Sequence, residues 1–142
     1  MSKTAIIYWS GTGNTEAMAK AIAAGAKEVN ADTKLFSVDQ ITADEAKDYN
    51  NLIFGCPAMG AEELEEGEFE PFFAELEVNL SGKNVALFGS YGWGDGEWMR
   101  EWEKRVTDAG AKLANESVIA NDSPDEDAVT ACNGLGKIVA AL

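Results

Sequence analysis

Histidine is absent from this chain, and cysteine, proline and basic residues are scarce. Without histidine there can be no Ser-His-Asp or Cys-His nucleophile system, no imidazole general base and no His-containing zinc site. The two cysteines, Cys56 and Cys132, lie far apart and form no CxxC pair. That leaves a disulfide framework, a dithiol redox motif and a four-cysteine cluster without support, and points to a reduced chain in the cytoplasm. Eleven Lys and Arg stand against twenty-five Asp and Glu, a formal net charge of −14. Such a field repels nucleic-acid phosphates and anionic lipid headgroups, so neither nucleic acid nor membrane is an expected partner. No stretch approaches the ~20 apolar residues of a membrane span, and the apolar run after Lys3 is too short for a signal-peptide core. The remaining chemistry must use carboxylates, backbone, aromatics or a bound cofactor.

What is present suits one buried core: 142 residues, 46% of them hydrophobic, read as a single domain over 1–142. Short continuous apolar runs alternate with longer segments of three-and-four spacing, the pattern of a parallel sheet covered by helices on both faces. Five strands are predicted, at 4–9, 34–38, 51–55, 85–89 and 117–120. Helical faces follow in Met18, Ala21, Ile22, Gly25 and Val29, and in Trp98, Met99, Trp102 and Val106. Shorter helices are expected near 43–47 and 69–76. The last helix opens with Ser123-Pro124-Asp125-Glu126, a capping-box spacing, and carries Ala128, Cys132, Leu135, Val139 and Leu142 on one stripe. An open doubly wound α/β sheet binds its ligand beyond the carboxyl ends of the strands, which directs attention to the loops after Trp9, Cys56 and Gly89.

Ser10-Gly11-Thr12-Gly13-Asn14-Thr15 places glycines, hydroxyls and an amide between a strand and the first turn of a helix. Such a segment can aim several N–H and O–H donors at one anion, assisted by the helix dipole. No Lys follows the second glycine and Glu16 replaces a third, so neither the triphosphate nor the dinucleotide fingerprint is met. An ordinary capped turn is the alternative. The next loop, Cys56-Pro57-Ala58-Met59-Gly60-Ala61-Glu62, offers a polarisable thioether and a carboxylate. The third, Ser90-Tyr91-Gly92-Trp93-Gly94-Asp95-Gly96, sets aromatics among glycines. A planar aromatic ligand between Met59 and Trp93 would account for both, with packing within the protein as the alternative.

At these residues the sequence resembles the flavodoxins, specifically their short-chain group. Trp9-Ser10-Gly11-Thr12-Gly13-Asn14-Thr15, Met59-Gly60-Ala61-Glu62 and Phe88-Gly89-Ser90-Tyr91-Gly92-Trp93-Gly94 carry the likeness, which spans essentially the whole chain. The resemblance implies a five-stranded sheet of order 2-1-3-4-5 and a low-potential one-electron carrier holding FMN non-covalently and cycling mainly between semiquinone and hydroquinone. It implies that Ser10, Gly11, Thr12, Gly13, Asn14 and Thr15 bind the phosphate. Ala58 joins the site, Met59 and Trp93 flank the ring, and Glu62 accepts from the flavin N3–H. The backbone of Ser90, Tyr91 and Gly92, with Gly94 beside it, serves the pyrimidine edge. Trp9 would pack against the phosphate loop, and the Gly60 carbonyl would turn toward a protonated N5. Ala61 stands where the family often has Asp or Asn.

Eight glutamates, at 62, 63, 65, 66, 68, 70, 75 and 77, follow without a basic residue until Lys83. Each carboxylate ~10 Å from a reduced flavin anion would oppose it by roughly 0.4–0.8 kcal/mol at an effective dielectric of 40–80. The same charge would steer basic docking patches on partner oxidoreductases toward a monomeric carrier. An ordinary solvated helix face is the alternative for any one of them. A small FMN or quinone reductase would need a second nucleotide site, and no basic pocket for one is visible. A receiver-like module would need a phospho-acceptor Asp where the first strand ends in Tyr8-Trp9-Ser10.

Overall fold

Ala5 to Ile7, Leu52 to Phe54 and Val85 to Phe88 are fully enclosed, as expected for strands covered on both faces. The structure, a computed structural model, describes residues 3–60, 62–92 and 94–142. In chain order the strands are β1 (Thr4–Tyr8), β2 (Lys34–Ser37), β3 (Asn51–Gly55), β4 (Asn84–Tyr91), β5 (Lys112–Leu113) and β6 (Val118–Asn121). The helices are α1 (Asn14–Val29), α2 (Ala43–Ala46), α3 (Phe69–Glu77), α4 (Glu97–Asp108) and α5 (Glu126–Ala140), with a 3-10 turn at Val38–Gln40. All pairings are parallel, in the order β2-β1-β3-β4-β5, with β6 also on β4.

Alternation along the strands divides the core. Ile6, Ile53, Ala86 and Phe88 face α1 and α5, joining Met18, Ile22, Cys132 and Leu135. Ile7, Leu52, Phe54 and Leu87 face the other side, where Phe69, Phe73, Trp98 and Trp102 pack. Phe69 and Phe73 both meet Trp102 edge-on, at 5.5 and 5.8 Å between ring centroids. α1 and α5 approach until a Cβ at Gly25 would lie 2.1 Å from the Asn133 carbonyl oxygen, and one at Gly136 2.1 Å from that of Ile22. Only glycine permits that contact at either position.

Four expectations need correction. The single fifth strand is two, because β5 pairs with the start of β4 and β6 with its end. Pairing with β6 carries β4 on through Ser90 and Tyr91, where the sequence pattern predicts loop. The last helix is capped by Asp125, not Ser123: the Asp125 carboxylate accepts from the Ala128 N–H at 2.8 Å, which starts the helix at Glu126. The helix ends at Ala140, so Leu142 leaves the buried stripe and is 47% exposed.

Candidate functional site

The carboxyl ends of β1, β3, β4 and β6 converge on one end of the sheet. There the first loop is tied down from within. The Ser10 hydroxyl accepts from the N–H groups of Gly13 (3.1 Å) and Glu16 (3.2 Å), folding the loop over the start of α1. Gly13 takes a left-handed conformation (φ 97°) as the residue before the helix. Gly11 sits close to the Trp9 indole: a Cβ there would stand 3.0 Å from the ring carbon Cη2. The Trp9 indole N–H donates to Glu68 at 3.3 Å. Thr15 is buried, and its hydroxyl lies 3.1 Å from that of Ser90 and accepts the Ser90 N–H at 3.4 Å. That pair fastens the first turn of α1 to β4, so both hydroxyls already have a protein partner. The amides that open α1 lack intrahelical acceptors, and Ser10 takes that of Glu16.

The second loop continues the sheet before it turns. Cys56 and Ala58 donate their N–H groups to the carbonyls of Phe88 (3.2 Å) and Ser90 (3.0 Å). Met59 and Glu63 then exchange two backbone hydrogen bonds, at 2.9 and 3.0 Å, which closes a tight turn. Gly60 sits in it with φ 42°, and among the described residues beyond its chain neighbours no atom lies within 4 Å of its Cβ position; Glu62 has φ 55°. Positive φ in a glutamate is strained, and its side chain shows what holds it there. The Glu62 carboxylate accepts the N–H of Glu97 at 3.2 Å and so occupies the opening of α4, where the helix dipole favours an anion. Ala61 and Trp93, to which the sequence assigned a turn and a stacking role, lie outside the described residues.

A cavity of about 240 Å³ opens where these loops meet. Gly11, Thr12, Asn14, Ala58, Met59, Ser90, Tyr91 and Gly92 line it from the predicted set. Trp9, Pro57 and Asp122 also line it. Gly60 and Glu62 instead line adjoining cavities. Larger hollows lie elsewhere, including one of about 620 Å³ between β6 and α5. The small cavity is the one where neutral donors, a thioether and a phenol converge.

Asp122 was missed by sequence reasoning. It follows β6 in a left-handed conformation (φ 58°) and donates its N–H to the Tyr91 carbonyl at 2.7 Å. The polar run Asn121-Asp122-Ser123 before Pro124, at the end of the last strand, was the available signal. Among the described residues no Lys or Arg lines the cavity. An anionic group seated here would be held by neutral donors and the opening of α1.

The acidic segment beside the site is largely engaged. Glu65 accepts from the N–H groups of Gly67 (2.8 Å), Glu68 (2.7 Å) and Phe69 (2.8 Å), capping α3. Partial burial pushes its carboxyl up, but the three donors outweigh that and hold it below the usual carboxylate value. Glu70 and Glu77 both clasp Arg105, at 2.7 to 3.1 Å, and the guanidinium lies over the Phe73 ring at 4.8 Å. Glu63 is exposed and shares a hydrogen bond with Glu66, which raises its carboxyl pKa. Cys56, beneath this segment, is buried, and desolvation pushes its thiol up to about 12. It is inert as a thiolate at neutral pH.

Comparison with known proteins finds relatives over nearly the whole chain. A family model described as flavodoxin matches residues 6–134. The chain is 50% identical over 137 residues to a flavodoxin of Clostridium beijerinckii, covering 96% of this chain and 99% of that one. It is 46% identical over 135 residues to a flavodoxin of Megasphaera elsdenii, covering 95% and 96%. The solution structure of the two-electron reduced Megasphaera elsdenii flavodoxin superposes with a TM-score of 0.89 at 45% identity, covering 98% of this chain and 99% of that one.

Proposed function

This chain belongs to the flavodoxin family, and from that premise we propose that the loops at 10–15, 58–62 and 90–94 hold FMN. Its function is that of the family: it is an electron carrier that binds FMN non-covalently, acts with redox partner proteins, and is not an enzyme. The bound flavin supplies low-potential electrons one at a time, mainly between its one-electron and two-electron reduced levels.

The observation that carries the site assignment is the cavity of about 240 Å³, where the uncharged donors of the first loop meet Met59 and Tyr91 and, among the described residues, no Lys or Arg is present. Gly11, Thr12 and Asn14, with the opening of α1, are the donors for the phosphate. Ser10 and the Thr15–Ser90 contact hold that loop in shape. Met59 and Trp93 enclose the ring, Ala58 and Tyr91 shape its slot, and the amides of Ser90, Gly92 and Gly94 serve its polar edge. The Glu62 carboxylate has two oxygens, of which Oε1 is held by Glu97. Oε2 is the acceptor for the ring N3–H. The positive φ of Gly60 and the open space at its Cβ position among the described residues support a peptide able to turn toward the ring.

We also propose that residues 1–142 work as one domain, as a monomer, in the cytoplasm, where two buried free thiols stay reduced. Basic docking patches on partner oxidoreductases meet the acidic surface around 62–77. Titrating the purified chain with FMN tests the site. Quenching of flavin fluorescence at one equivalent is expected, with at least tenfold weaker binding in Trp93→Ala and in Met59→Gly. Unchanged affinity in both variants would remove the ring from this slot.

A further inference from the structure

The cofactor-binding loops leave one edge of the sheet without a function. Among the described residues β6 pairs only with β4, through Phe88–Val118 to Tyr91–Asn121, so its outer edge carries unpaired backbone groups. Natural sheet edges are usually blunted by lysine, proline or a bulge. The opposite edge strand, β2, begins at the exposed Lys34. β6 reads Val118-Ile119-Ala120-Asn121 and carries no charge at all.

Alongside it runs the cavity of about 620 Å³, walled by β6 on one side and by Ala128, Ala131, Leu135 and Ile138 of α5 on the other. Ile138 is 48% exposed, and Ile119, which reaches toward Gly96 on the α4 side, is 38% exposed. An unpaired strand edge is thus flanked by accessible apolar side chains on both faces of the sheet.

We propose that this edge is the docking seat for an extended basic segment of a partner protein, which adds to the sheet beside β6. Its main chain would pair with about 13 Å of strand, four residues at about 3.3 Å each. Its alternate side chains would fill the groove against α5, which is how strand addition acquires specificity. Charge selects the occupant: Glu116, Asp125 and Asp127 rim the groove, and no Lys or Arg lines it among the described residues. A second copy of this chain would bring those carboxylates against their own kind, whereas lysine or arginine side chains are matched by them. The seat also ends beside the redox site. β6 runs into Asp122, which donates to the Tyr91 carbonyl and lines the small cavity with it.

The test uses the FMN-loaded protein, labelled for amide NMR, and a capped heptapeptide of alternating lysine and valine. A second peptide of the same charge is N-methylated at alternate backbone nitrogens and cannot pair as a strand. The expected result is slowed amide exchange at Val118 to Asn121 with shift changes along α5. N-methylation should weaken binding at least tenfold. Ile138→Gln, a change at a half-exposed position, should weaken it about fivefold with FMN affinity unchanged. Three results would overturn the proposal. They are equal binding of the N-methylated peptide, shift changes centred on 62–77, and self-association that shields β6 without any peptide.

Discussion

Residues 10–15 carry no charge, whereas residues 62–77, on the far side of the same site, include eight glutamates. The first wall is built from a serine hydroxyl, glycines and the opening of α1, and is braced by the buried contact between Thr15 and Ser90. The second is built from carboxylates that hold helices: Glu62 on α4, Glu65 on α3, and Glu70 with Glu77 on Arg105. A neutral wall binds an anion without supplying a countercharge, while the acidic wall keeps negative potential beside it. Because those glutamates are anchored, their field stays fixed in position and is not averaged over mobile side chains. The comparison also explains why an acidic run that reads as a solvated face is mostly structural.

The sharpest way to break this contrast is to spoil the neutral wall by volume alone. Gly11→Val adds branches where a single Cβ is already 3.0 Å from Trp9. Overpacking of about 2 kcal/mol corresponds to FMN binding about 30-fold weaker in a fluorescence titration. Gly11 is exposed, so the empty loop relieves the clash by shifting away from Trp9 and the melting temperature of the FMN-free protein should hardly move.

Arg105→Met should act on the other wall and in the opposite manner. Glu70 and Glu77 would face one another without their cation, costing about 2 kcal/mol in urea unfolding while FMN affinity stays within twofold. A larger loss of affinity than of stability would mean that the acidic wall contacts the cofactor more directly than its ion pairs indicate.

Glu65→Gln should cost about 1 kcal/mol as a lost helix cap, and the loss should depend on pH. Glu65 is held below its ordinary value of 4.5 in the folded chain. Its stabilisation is therefore complete above that value and disappears as pH falls through the folded one. The melting temperatures of the two proteins should draw together as pH falls below 4.5 and through the lower value of the folded chain.

Glu63→Gln should give the smallest effect, with the opposite sign. The Glu66 contact raises the Glu63 pKa, so the folded state takes up a proton more readily than the unfolded one and gains stability as pH falls. At neutral pH the variant should melt slightly higher than the parent, and the difference should vanish in mild acid. A clear drop in melting temperature would show that the Glu63 charge is used, not merely tolerated.

Much of the fold was readable along the chain because strands buried on both faces appear as unbroken apolar runs. The helical faces around Met18 and Ile22, and around Trp98 and Trp102, came from spacing and are buried as read. The errors share a cause. Ser90 and Tyr91 are strand only because β6 arrives from thirty residues later to pair with them. The choice between Ser123 and Asp125 as helix cap turned on which oxygen reaches the Ala128 amide. Asp122 escaped notice for the same reason, since its place beside Tyr91 depends on where β6 ends.

Local chemistry was sufficient to specify the α/β alternation, the neutral donor loop and the negative charge, because periodicity, glycine placement and side-chain type act over a few residues. Folding in three dimensions assigned the partners: Thr15 to Ser90, Glu62 to the first amide of α4, and Arg105 to two glutamates of α3. Those pairings join residues 28 to 75 positions apart. No local pattern encodes them, since each exists only after the chain has folded around the sheet and brought the partner elements together.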